Sequence, residues 1–132
     1  MRKINKFLYF CLLNCIFALL TGVAIYVLLR ENTYINKLIN FQKIGVSSAF
    51  ADFLRFYFVD ALWSYALTFA LSIFISEIMA GVISTVFATS WELLQLCGFV
   101  SGTFDIIDLI MYLSAIVVAV LIIYLYKRRF SQ

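Results

Sequence analysis

A chain of 132 residues that is 65% hydrophobic and 13% charged, with no proline and a mean hydropathy of +1.04, cannot be a small water-soluble domain. A soluble core of this size could not hide so much apolar surface, and its outside would carry far more charge. The net charge of +3 sits mostly at the termini and in one loop, which suits phosphate head groups better than nucleic acid. Cys11, Cys15 and Cys97 lie in or beside apolar runs, as packing residues and not as a disulfide frame or a metal site. With no histidine in the chain, imidazole ligation and histidine base catalysis are excluded.

The first apolar run, Phe7 to Leu29, is long enough to cross a hydrocarbon core of about 30 Å. Arg2, Lys3 and Lys6 precede it and favour a cytoplasmic N-terminus. Leu12-Leu13-Asn14-Cys15 resembles a lipoprotein cleavage box only faintly, because Asn14 stands where a small residue is needed. Cys11, Cys15, Ala18 and Gly22 share one helical face, narrow enough for close packing.

Residues 30–57 form the only long polar segment and are expected to be an outer loop. Ile35, Leu38 and Ile39 fall at helical spacing there, which allows either an interfacial amphipathic helix or a solvated loop. The second span is predicted over 58–76. Asp60, Ser64, Thr68, Ser72 and Ser76 recur every four residues along it, a ridge of the kind that packs into a neighbour's groove. Asp60 is the ionisable member and stands at the helix mouth beside Trp63, as either a cap or a site residue.

A tight reversal at Ser76-Glu77 leads into the third span, 78–96. Ala80, Ser84, Ala88 and Glu92 again step by four, and Gln95 follows about one turn on, so both polar groups are predicted to face the bundle. Trp91 reads as an interfacial anchor. Gly98 and Gly102 then permit a turn, with Ser101 or Thr103 expected to cap the fourth span, 105–126. That span carries Asp105, Asp108, Tyr112, Ala115 and Ala119 on one seam, and Lys127, Arg128 and Arg129 close it on the cytoplasmic side.

The expectation is thus one membrane domain over 1–132, an all-α integral membrane bundle of four transmembrane helices with both termini cytoplasmic. In this arrangement Asp60, Glu92, Gln95, Asp105 and Asp108 meet near the outer lipid–water boundary. Three of the chain's seven acidic residues lie between Ser90 and Ser114. A carboxylate within a membrane helix costs at least about 2.5 kcal/mol on insertion scales, so each calls for a reason.

Glu92-Leu-Leu-Gln95, the glycine-bearing turn and Asp105-Ile-Ile-Asp108-Leu-Ile-Met-Tyr112 together resemble the VanZ-like family of small bacterial membrane proteins. Glu92, Gln95, Asp105 and Asp108 match the family's motif residue by residue, and Tyr112 stands in its Asn-or-Tyr place. Asp60-Ala-Leu-Trp63-Ser-Tyr is similar to a further segment, so the likeness covers roughly residues 55–115. The chain departs from the pattern in having no arginine between Gln95 and Asp105, and Ala115 in place of a glycine. The resemblance implies the bacterial cytoplasmic membrane and a role in the cell envelope, where the family's namesake is linked to teicoplanin resistance.

Three functions fit the acids. They form a cup for a lipid head group or lipid-linked envelope compound, with Arg55 or Lys43 meeting phosphate; or they run acid–base chemistry on such a lipid. In the third, they only tie helices together. The ligand-binding candidates are Asp60, Trp63, Glu92, Gln95, Asp105, Asp108 and Tyr112. No resident cofactor is expected, although Glu92, Asp105 and Asp108 have the composition to share a divalent cation. Membrane lipids are the expected partners, with room for a homo-oligomer. A transporter fits less well, because no charged path crosses the inner half.

Overall fold

The computed structural model describes residues 2–29 and 49–130, which are helical throughout apart from turns and contain no strand. Helix α1 is Arg2–Leu29 and α2 is the short Ala49–Phe53. One π turn, Leu54–Phe58, joins α2 to α3, Val59–Leu71, so helical backbone is unbroken from 49 to 71. Helices α4, Glu77–Leu96, and α5, Ile106–Phe130, complete the order. Three stretches are long and apolar enough to cross a membrane: Lys6–Leu29 within α1, then α4 and α5. This marks a membrane protein.

The 13 residues of α3 are too few to cross alone, yet α3 is the centre of the bundle. It packs against α1, α4 and α5, and α5 also packs along α4. Small residues make this closeness feasible. Ala61, Ser64, Ala66 and Thr68 of α3 and Ser72 at its C-cap are all buried, as are Ala80, Gly81, Ser84 and Ala88 of α4. Backbones approach where side chains are short, and dispersion and interhelical hydrogen bonds then hold helices for which lipid provides no hydrophobic drive.

The hydroxyls of the α3 ridge are satisfied in two ways. Ser64 Oγ donates to Asp60 O (3.3 Å), and Thr68 Oγ1 donates to Ser64 O (2.9 Å), within the helix. Thr68 Oγ1 also reaches Ser84 Oγ of α4 at 3.0 Å, while Ser72 Oγ lies 3.6 Å from Cys11 Sγ of α1. The ridge therefore serves both neighbours.

Ser76 is not part of it. The helix expected to run to 76 stops at Leu71, where Phe74 N–H (3.0 Å) and Ile75 N–H (3.1 Å) turn back onto Leu71 O. Ser76 instead caps α4, accepting Met79 N–H at 3.4 Å. Its extended backbone frees the hydroxyl for that orphan donor. The loop expected over 30–57 is likewise shorter, because residues 49–57 are helical. The amphipathic segment around residues 35–42, and Lys43, lie outside the described residues.

Cys11, Phe69, Ala119 and Ile123 form the hydrophobic core, with Phe10 and Tyr65 packed against it. Phe10 stacks on Tyr126 at 3.9 Å between centroids and meets Phe69 edge-on at 5.9 Å. This end of the bundle is closed by charge as well. Lys127 Nζ lies 2.6 Å from Glu77 Oε2 and 4.9 Å above the Phe7 ring. At the other end of α1, Arg55 Nη1 donates to Leu29 O (3.5 Å), placing a cation on the helix's negative pole.

Two glycines test the packing. A Cβ at Gly22 would sit 3.9 Å from Leu62, an ordinary contact, whereas one at Gly81 would lie 2.8 Å from Val120 Cγ2. Gly81→Ala should therefore lower stability by about 1–3 kcal/mol, and Gly22→Ala should be close to neutral. Thermal unfolding of both variants in detergent is the check. A Gly81→Ala protein as stable as wild type would contradict this α4–α5 approach.

Candidate functional site

The acidic end of the bundle is built by three helix ends and one turn. On α4, the buried step of four, Ala80, Ser84 and Ala88, carries Glu92 inward until only 1% of it is exposed. Its Oε2 accepts from the Asp105 N–H at 3.4 Å, and the Tyr112 hydroxyl is directed at the same carboxylate. On α5, Asp108 is half-buried, with Oδ1 buried and without a hydrogen-bond partner among the described residues. Asp60, Glu92 and Asp105 all act electrostatically on Asp108, so the four predicted acids do gather in one place. Tyr112, one turn below Asp108, lies in the field of Asp60, Glu92 and Asp108.

Asp105 does a different job from the one its spacing suggests. Its Oδ1 accepts Ile107 N–H at 2.8 Å and so caps α5, where Ser101 or Thr103 was expected. A carboxylate is favoured there by the positive pole of the helix. Its Oδ2 accepts the Tyr57 hydroxyl at 3.2 Å, from the π turn before α3. Tyr57 is a site residue that no spacing in the sequence singled out, because the π turn sets its direction.

Gln95 is taken up by the turn. In the orientation that satisfies both ends of its amide, Nε2 donates to Thr103 O (3.2 Å) and Oε1 accepts from Trp91 Nε1 (3.1 Å). Gly102, at φ 144°, lies under it, and a Cβ there would come within 2.8 Å of the amide. Glycine is needed on both counts. Gln95 thus stitches α4 to the turn and is not directed to the acids.

Arg55, a phosphate-binding candidate, is engaged elsewhere. Its Nη2 pairs with Asp52 Oδ1 at 2.6 Å and its guanidinium lies 4.5 Å from the Phe56 ring centre. Neither Glu92, Asp105 nor Asp108 forms an ion pair among the described residues. The divalent cation considered for these three acids does not suit their geometry either. Among the described residues, no three acid, cysteine or histidine side chains are grouped to hold a metal ion. The oxygens of Asp105 are turned to Ile107 and Tyr57 and do not converge with those of Glu92.

Next to the acids a pocket of about 400 Å³ opens between α3, α4 and α5. Asp60, Ser64, Ser84 and Tyr112 give it polar points, and Leu67, Phe87 and Ala88 line it with carbon. Trp63 and Trp91, both substantially exposed, complete the wall. Trp91 is thus more than the interfacial anchor it was expected to be. Of the seven predicted ligand-binding residues, Asp60, Trp63 and Tyr112 line the pocket directly. Glu92 and Asp108 are not in its lining but act on Tyr112, Asp105 stands at the head of α5, and Gln95 is withdrawn into the turn.

A pocket with carbon walls and a few convergent polar groups is suited to bind an amphiphile. Compared with protein-family models, curated proteins and solved structures, the chain matches none.

Proposed function

We propose that this chain is a VanZ-like protein of the bacterial cytoplasmic membrane that binds a lipid head group or lipid-linked envelope compound at its acidic end. In this reading it crosses the membrane four times with both termini inside. The helical run 49–71 supplies the second crossing, and the acidic end faces out. What chiefly supports binding is the pocket open between three helices, with Asp60 and Tyr112 in its wall and further carboxylates close behind. Basic residues gathered at the opposite end, Lys6, Lys127, Arg128 and Arg129, fit a cytoplasmic face.

The orientation is tested by cysteine labelling from outside in a Cys97→Ser background. Ser101→Cys should react and Ser76→Cys should not; the reverse would put the acids on the cytoplasmic side. The function is tested by amides. Glu92→Gln, Asp105→Asn and Asp108→Asn keep shape and remove charge, and Asn still caps a helix at position 105. With folding retained, sensitivity to a lipid-anchored glycopeptide should change in these three and not in Asp52→Asn. Unchanged sensitivity in all three folded variants would leave the acids as a structural network.

A further inference from the structure

The end of the bundle opposite the acids carries more positive charge than its own contacts use. Arg2 and Lys3 begin α1 and Lys6 follows them, while Lys127, Arg128 and Arg129 stand in the last turn of α5. The two helix ends are joined at one level by aromatic rings. Tyr126 of α5 lies 6.0 Å from Phe7 and 3.9 Å from Phe10 of α1, and Phe130 follows 4.6 Å from Tyr126. Among the described residues one acid, Glu77, stands at this end, and Lys127 already takes it at 2.6 Å. Lys6, Arg128 and Arg129 are exposed and form no ion pair among the described residues. Helix poles do not account for all of this charge. The negative pole of α5 favours cations in its last turn, but α1 begins here with a positive pole and no acid in its first turn. Both helices are long and apolar enough to cross a membrane, so the anions at the level of their ends are lipid phosphates.

We propose that the seam between the start of α1 and the end of α5 binds an anionic phospholipid, its phosphate shared by Lys6 of one helix and Arg128 and Arg129 of the other. The seam lies at the far end of the bundle from the pocket and needs nothing of the reading given for that pocket. A lipid held by both helices also stabilises the bundle by mass action.

The test is native mass spectrometry of the detergent-solubilised protein with phosphatidylglycerol and phosphatidylcholine of identical acyl chains. At low salt phosphatidylglycerol should bind roughly a hundredfold tighter, about fivefold for each of the three free cations, and the preference should shrink as salt rises. Lys6→Gln should lower the preference about fivefold, and Arg128→Gln with Arg129→Gln should lower it further. Lys37→Gln, which removes the same charge from the stretch between α1 and α2, should retain it, and so should Glu92→Gln. The wild-type lipid series stands even where a variant fails to fold. Equal binding of the two lipids overturns the proposal. Dependence on the cations of one helix alone overturns the shared seam, and an equal loss in Lys37→Gln reduces the effect to net charge and overturns the site. Inorganic phosphate that displaces the lipid better than sodium chloride of equal ionic strength would mark a site for a free anion and overturn the lipid assignment.

Discussion

Ser84→Leu is expected to lower the stability of the folded protein by about 3 kcal/mol and to leave much of it aggregated on expression. Ser84 is 1% exposed at the crossing of α3 and α4, where its hydroxyl meets Thr68 Oγ1 at 3.0 Å. Leucine there inserts branched carbon between two backbones that small residues hold close. It also leaves Thr68, which is 0% exposed, with only its intrahelical acceptor. Ser84→Ala separates the two effects, since it removes the bond without adding bulk and should cost only about 0.6 kcal/mol. Val82→Leu, on an exposed face of the same helix, should stay within about 0.5 kcal/mol of wild type. Thermal unfolding in one detergent compares all three. Equal transitions for Ser84→Leu and Val82→Leu would show that α3 and α4 do not cross here.

Phe69→Ala should be as damaging, by about 3–5 kcal/mol. Phe69 is 0% exposed and joins three helices: its ring lies 5.9 Å from Phe10 of α1 and 4.7 Å from Tyr65, and it shares the core with Ala119 and Ile123 of α5. Within a membrane the loss is not one of water exclusion. A cavity there forfeits dispersion contacts that lipid chains cannot restore unless they enter the bundle. Phe74→Ala, at a side chain that is 85% exposed in the turn after α3, should change stability by less than about 0.5 kcal/mol. A mild Phe69→Ala would mean that α1 is not held through this residue.

The parts of the fold that could be read in the sequence are those governed by one helix's own periodicity. Ala80, Ser84, Ala88 and Glu92 step by four, and all four are buried because a step of four returns to nearly the same face. The same reasoning places Cys11, Ala18 and Gly22 of α1 inward. On α5 the seam is right at Asp108, Tyr112 and Ala119 but passes through Ile116, which is buried, and not Ala115, which is only half-buried. Position outweighs small size there, because the neighbouring surface of α4 has room for a branched side chain. That room comes from Gly81, whose role depends on Val120 of another helix and leaves no periodic mark.

The site was legible to the extent that charge in a membrane is costly and therefore purposeful. The convergence of Asp60, Glu92, Asp105 and Asp108 follows from helix order alone. Finer assignments depended on local backbone. Asp105 caps α5 because the helix starts at Ile106, one residue later than expected. Gln95 bonds across a turn whose glycine conformations set the distance. Tyr57 reaches Asp105 by way of a π turn. A five-residue π turn has no strong signature in composition, so its consequences appear only in three dimensions.

The two ends of the bundle are fastened differently, and this gives the molecule a gradient of breathing. At one end an ion pair between Lys127 and Glu77 and the stacked rings of Phe10 and Tyr126 join the first, fourth and fifth helices. At the other, the carboxylates of Asp60, Glu92, Asp105 and Asp108 lie in one another's field. Separation of helix ends costs least where contacts are fewest and like charges meet. Brief fraying should therefore begin at the acidic end, with amide exchange fastest through residues 97–106 and slowest around Thr68 and Ile123.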